Sequence, residues 1–297
     1  MNPLRRPASP SARRGPASTP AALGSQAEPA PGHEDYVAFV RRMLPQQDQG
    51  VASHRIGNER VWLKKAGPRH SRLRYQLLAL ISRTLRLDML TPVPNLGGET
   101  AIATEARRLR ALAESGLRVP RVLAQTADGL LISDLGRDGR PATVFNERLE
   151  QAAASGPVAL LAAWREGLEA IAAVHARGAY LSQAFARNLM HCPDGVIGFI
   201  DFEDDPGEAL SIAECQARDW LSYLHSTALP LRASKPEGAG EAWRATLAQA
   251  DPAVRERIAL AARRVRWLRN LPAHRRWGRD TQRVRAVARL LGQWYPD

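Results

Sequence analysis

With 297 residues, 44% of them apolar, the chain is long enough to bury one large core or two modest ones. It contains no run of the roughly 18 apolar residues that a membrane span needs. A net charge of +12, carried mostly by Arg, favours anionic partners: a nucleotide, a phosphorylated sugar, an acidic lipid or a nucleic acid. Cys192 and Cys215 are too few for a disulfide framework and lack metal-ligand spacing with His191, and the Arg-bearing amino terminus has no apolar leader, so a reducing, cytoplasmic setting is expected.

Residues 1–33 are Pro, Ala, Ser and Arg with almost no large apolar groups, a composition that cannot offset its ordering entropy and reads as a disordered tail. A short helix is expected over Tyr36–Met43. Residues 51–65 read as a hairpin turning at Gly57-Asn58, two residues that tolerate positive φ. Strand alternation puts Trp62 and Lys64 on one face and Leu63 and Lys65 on the other, so one lysine of the pair can face a cleft; Lys64 is favoured, with Lys65 as the alternative. Within residues 67–98, the stretch 69–90 interleaves Arg69, Arg72, Arg74, Arg83 and Arg86 with Leu73, Leu77, Leu80, Ile81 and Leu85. That spacing predicts a basic amphipathic helix, lying either on acidic lipid or against the protein with Arg outward. A helix from Glu99 to Ser115 ends at Gly116, and its acids Glu105 and Glu99 are candidates to pair the lysine. Strands over Pro120–Gln125 and Leu130–Ser133 flank a turn at Ala127-Asp128-Gly129.

Beyond residue 141 the chain reads as helical, with a long helix from Pro157 to about Arg177. Next come His175-Ala-Arg-Gly178, Leu181-Ser182-Gln183, Asn188, and the apolar strand Val196–Ile200 running into Asp201-Phe202-Glu203. A hairpin between Asn188 and Asp201 would bring the two together, and an amide with a carboxylate is an oxygen donor set suited to magnesium. His175 is expected to pack or cap, with the acid of the metal strand as partner. Asp204 and Asp205 are candidates for a second metal or for solvation. Arg218-Asp219 is read as opening another helix. Residues 251–294 are helical and rich in Arg, with Trp267, Trp277 and Trp294 interleaved.

The stretch 175–205 resembles the catalytic loop and metal-binding segment of the protein-kinase-like superfamily, and among its branches it is most similar to bacterial lipopolysaccharide-core sugar kinases. The resemblance covers residues 51–230. It implies an α+β, two-lobed protein-kinase-like fold: a small antiparallel-sheet lobe over 34–133 carrying a basic helical insertion at 67–98, and a mostly helical large lobe over 134–297 with basic C-terminal helices. It implies ATP and Mg2+ as cofactors, with Asn188 and Asp201 as metal ligands, Lys64 and Glu105 as the phosphate-positioning pair, and the backbone of Ser133, Asp134 and Leu135 on the adenine edge. Asp219 is implied to hydrogen-bond the catalytic-loop backbone, or else to pair Arg218. The family's acidic base falls at Gln183, with Leu181 and Ser182 where His-Ala or His-Gly is expected, and only Gly57 stands in for a glycine-rich loop.

Three functions follow. One is an ATP- and magnesium-dependent phosphotransferase acting on a cell-envelope glycan or lipid at the inner membrane face, with Gln183, Asn188 and Asp201 as its catalytic set. Another is a nucleotide-binding pseudokinase with a scaffolding or regulatory role. The third is a basic anion-binding module for a membrane or, with less support because no reader motif is present, for nucleic acid.

Overall fold

The computed structural model describes residues 32–67, 97–272 and 274–296. Nearly all of the tail 1–33, and the predicted amphipathic helix over 69–90, lie outside the described residues. The two ends of the insertion meet, since the Gly98 N–H donates to the Gly67 carbonyl at 3.1 Å. The described part is α+β, with eight α-helices and two antiparallel sheets among the described residues.

Helix α1 (His33–Met43) precedes the hairpin β1 (Val51–Ile56) and β2 (Glu59–Lys65). Gly57 takes the positive φ, 57°, that the tight turn requires. Strands β3 (Val122–Gln125) and β4 (Gly129–Ser133) complete a four-stranded sheet in the order β1-β2-β4-β3. Alternation along the strands sends residues to opposite faces. Val61, Leu63 and Leu131 pack with Tyr36, Phe39 and Val40 of α1 on one face. Leu130 and Ile132 meet Ile102, Ala106, Leu109 and Leu112 of α2 (Gly98–Glu114) on the other. Trp62 and Lys64 share that second side.

Beyond Ser133 the chain does not become helical at once. A two-residue strand, β5 (Thr143–Val144), pairs with β6 (Leu189–His191), which pairs with β7 (Ile197–Phe199). Helices α3 (Phe145–Ser155) and α4 (Pro157–His175) lie between β5 and β6. Helix α5 (Ile212–Ser234) starts six residues before the predicted Arg218. The reason is a capping box: the Ser211 hydroxyl accepts the Glu214 N–H at 3.4 Å and the Glu214 carboxylate accepts the Ser211 N–H at 3.0 Å. Helices α6 (Ala239–Ala248), α7 (Pro252–Val265) and α8 (Arg279–Trp294) follow.

The core of this helical part is aromatic. Trp164 stacks on Tyr223 and Trp243 with ring centroids 6.2 and 6.4 Å apart. The Tyr223 hydroxyl donates to the Trp164 carbonyl at 2.9 Å, and the Trp164 indole N–H donates to Thr227 at 3.1 Å, so the polar atoms of these buried rings are satisfied. Gly167 on α4 allows the approach, because a Cβ there would collide with the Tyr223 hydroxyl. Among the described residues no helix is long and apolar enough to cross a membrane.

Candidate functional site

A cleft of about 570 Å³ opens between the four-stranded sheet and the β6–β7 hairpin. Its walls include Trp62, Lys64, Glu105, Ser133, Asp134, Leu135, Arg187, Asn188, Asp201 and Glu203. These come from segments far apart in the chain, and the β2–β4 pairing, the docking of α2 and the β6–β7 hairpin are what gather them.

Strand β2 aims Lys64 into the cleft and turns Lys65 to the opposite face, where it donates to the Gln47 carbonyl at 3.2 Å. The Lys64 ammonium lies 2.5 Å from Glu105 and 3.0 Å from Glu203. Burial alone would push Lys64 down, but the two carboxylates outweigh it and hold the lysine above its ordinary value. Glu105 is 1% exposed, and burial pushes its carboxyl up against the pull of Lys64. Glu99, the alternative partner, is exposed at the start of α2.

Past β4, the Asp134 carboxylate takes the Trp62 indole N–H at 2.6 Å and the Gly136 N–H at 2.8 Å. That pair of bonds ties the exit of β4 to the Trp62 side of β2.

Asn188 ends a short 3-10 turn, Ala186–Asn188, and enters β6. Its Nδ2 donates to the Gln183 carbonyl at 3.1 Å, leaving Oδ1 as the atom with acceptor capacity. The Ile200 N–H donates to the Asn188 carbonyl at 3.0 Å, which fixes the chain one residue before Asp201. Asp201 adopts φ +73°, a left-handed conformation uncommon for a residue with a side chain. Withdrawal from bulk water pushes its carboxyl above the ordinary range; Lys64 pulls it down, and Glu203 and Asp204 add to the rise.

Gln183 does not line the cleft; its Nε2 donates to Asp204 at 2.9 Å. Asp204 and Asp205 do not line it either. Asp205 accepts from the Tyr180 hydroxyl at 2.5 Å and from Arg107 at 2.9 Å. Among the described residues no group of three His, Cys, Asp or Glu side chains is arranged to hold a metal.

The partner of His175 differs from the expectation. It packs edge-on against Trp220 and shares a 3.0 Å hydrogen bond with Asp219, not with the acid after β7. Asp219 also accepts the Leu181 N–H at 2.7 Å, so it holds the 181–183 loop and is not spent on Arg218. Arg218 itself donates to the Ser182 carbonyl at 3.1 Å.

Several residues at the cleft and behind it carry no motif of their own. Arg187 stacks over the Phe185 ring at 4.4 Å and lines the cleft beside Asn188. Glu203 reaches Lys64. Arg108, 7% exposed, lies 4.1 Å over the Tyr180 ring and donates to the Tyr180 carbonyl at 2.7 Å, clamping α2 to the loop before Gln183.

No protein-family model and no curated protein sequence matches the chain. The chemistry of the site therefore rests on its own residues. The cleft offers cationic nitrogens on Lys64 and Arg187 and hard oxygen donors on Asn188, Asp201 and Glu203. That set suits a polyanion carrying a divalent cation.

Proposed function

We propose that the protein binds ATP with magnesium in this cleft, as a member of the protein-kinase-like superfamily in which the four-stranded sheet and the helical part act as small and large lobes. The observation that carries the reading is that Lys64, paired to Glu105, shares one cleft with Asn188 and Asp201. Lys64 and Arg187 would take phosphate oxygens. The backbone of Ser133–Leu135, beside Trp62, would meet the purine edge.

The donor set fits magnesium: Asn188 Oδ1 and the Asp201 carboxylate are hard oxygens, and Asp201 sits among acids whose mutual repulsion a cation relieves. Bound there, magnesium would supply charge neutralisation to a triphosphate. The acceptor class we favour is an acidic glycan or lipid of the cell envelope, met at the cytoplasmic face of the membrane.

A second reading, a pseudokinase, is favoured by one specific contact. Gln183 stands where a general base is needed, cannot take a proton as a carboxylate does, and is bonded to Asp204 outside the cleft. Loss of a base costs on the order of 10²- to 10⁴-fold in rate.

Titration of the full chain with ATP, with and without magnesium, tests nucleotide binding by thermal shift. We expect stabilisation that needs the metal and disappears in Asp201→Ala; retention in that variant would overturn the site. Transfer of labelled phosphate from ATP to cell-envelope extract then separates enzyme from pseudokinase. Magnesium-dependent ATP binding with no transfer favours the pseudokinase.

A further inference from the structure

A second cavity, of about 390 Å³, lies where the C-terminal end of α5 meets the last two turns of α8. Its apolar lining includes Leu231, Leu290 and Trp294, each less than a tenth exposed, with Pro236 and Ala239 from the turn into α6. Its polar lining is Arg232, Lys235 and Gln293. A volume of this order is typical of small-molecule sites, roughly 300–1,000 Å³.

The charges around it are one-sided. Arg285 and Arg289 stand one helical turn apart on α8, in line with Gln293 a further turn on. Burial first, and then the charges of Arg289 and Arg285, hold the Arg232 guanidinium below its ordinary value. Among the described residues no carboxylate pairs with Arg232, Lys235, Arg285 or Arg289; the one acid on α8, Asp280, is 3.0 Å from Arg283. Buried Arg285 Nε has no hydrogen-bond partner. The carboxyl end of α5 contributes only about half a negative charge, which offsets a fraction of three guanidinium groups. Like charges brought together without a counter-ion destabilise the fold, and an orphaned buried donor adds to the cost.

We propose that this cavity binds an amphiphilic anion: a phosphate head held by Arg232 and Lys235, within the field of Arg285 and Arg289, and an apolar body against Leu231, Leu290 and Trp294. The site is built from α5, α8 and the turn from α5 into α6, none of which lines the cleft, so it stands or falls independently of nucleotide binding there.

The test uses the full chain in low-salt buffer free of phosphate, nucleotide and magnesium. Dihexanoyl phosphatidic acid, kept below its micelle concentration, is titrated by calorimetry and thermal shift. Dihexanoyl phosphatidylcholine and inorganic phosphate run alongside. The lipid phosphate should raise Tm and bind at least tenfold tighter than the zwitterionic lipid. Arg232→Leu should lose at least tenfold in that affinity while its Tm without ligand equals or exceeds wild type, because a mutual repulsion has gone. Arg285→Met serves as a second variant with the same expectation should Arg232→Leu fail to fold. Equal binding of the two lipids, or unchanged affinity in the folded variants, would overturn the proposal. Protection by inorganic phosphate equal to that by the lipid would overturn the apolar half and leave a free-phosphate site.

Discussion

Lys64 sits between a buried carboxylate and one at the edge of the cleft, and removing it exposes what each partner costs. Lys64→Met leaves Glu105 buried without a counter-charge, a change worth about 3–5 kcal/mol in comparable pairs. Urea unfolding should show a loss of that order, and Glu105→Leu added to it should recover most of the loss. If the double variant is as unstable as the single, the pair is not the source. Asp201 behaves in the opposite sense. Its folded-state carboxyl is held above the unfolded value of 3.8, so its contribution to stability is present below that pH and is lost as pH rises through the raised value. Asp201→Asn should therefore raise Tm at neutral pH without ligand, with the gain shrinking as pH falls towards 3.8. A lower Tm at neutral pH would contradict this. Strand alternation left Lys64 or Lys65 and the helix offered Glu105 or Glu99; the resemblance to protein-kinase-like sequences chose Lys64 and Glu105 and gave Asn188 and Asp201 their roles, and the fold brings all four to one cleft. Glu203 was not legible in the sequence, because its reach to Lys64 depends on the turn of chain at Asp201, a φ that no neighbouring residue type announces.

Helix α2 is the element that couples the sheet to the 180–183 loop. One face packs Ile102, Ala106 and Leu109 under the sheet and delivers Glu105; another sends Arg107 and Arg108 to Asp205 and Tyr180. These contacts span 98 and 72 residues of chain, and periodicity within α2 shows only a basic pair on its flank. That is why the clamp was invisible before the fold was known, whereas the helix itself, with its apolar stripe and terminal Gly116, was not. Arg108→Met keeps the aliphatic stem and removes the guanidinium. It should cost about 1–3 kcal/mol, since the Tyr180 carbonyl loses a charge-assisted bond in a buried setting. It should also speed amide hydrogen exchange in residues 180–183. Unchanged exchange there would mean that the loop's other bonds, to Asp219, Arg218, Asp204 and Asn188, suffice to hold it. Helix α5 teaches a related lesson about boundaries: the expected opening at Arg218-Asp219 lies inside the helix, because Ser211 with Glu214 sets the start.

At the scale of the whole molecule, the sheet and the helical part do not have separate cores. The larger apolar cluster runs without a break from Leu130 and Ile132 of β4, through Ile102 and Leu112 of α2, to Phe199, Phe202 and the tryptophans between α4, α5 and α6. Only the patch under α1, with Phe39, Val40, Leu63 and Leu123, stands apart among the described residues. Peeling the sheet away would expose the inner face of α2, whose apolar side chains are worth on the order of 2 kcal/mol each when buried. Freeing α2 would in turn break the Arg107 and Arg108 contacts to the loop. Neither part has a route to unfolding that spares the other. The described residues should therefore unfold in a single cooperative transition. Tryptophan fluorescence reports mainly on the helical part, through Trp164, Trp220 and Trp243, while far-ultraviolet circular dichroism reports on the whole, so the two curves should coincide in urea. Calorimetric and van't Hoff enthalpies should agree. Two resolved transitions would show that α2 belongs energetically to the sheet alone, and that the cleft is free to open by separation of independent bodies.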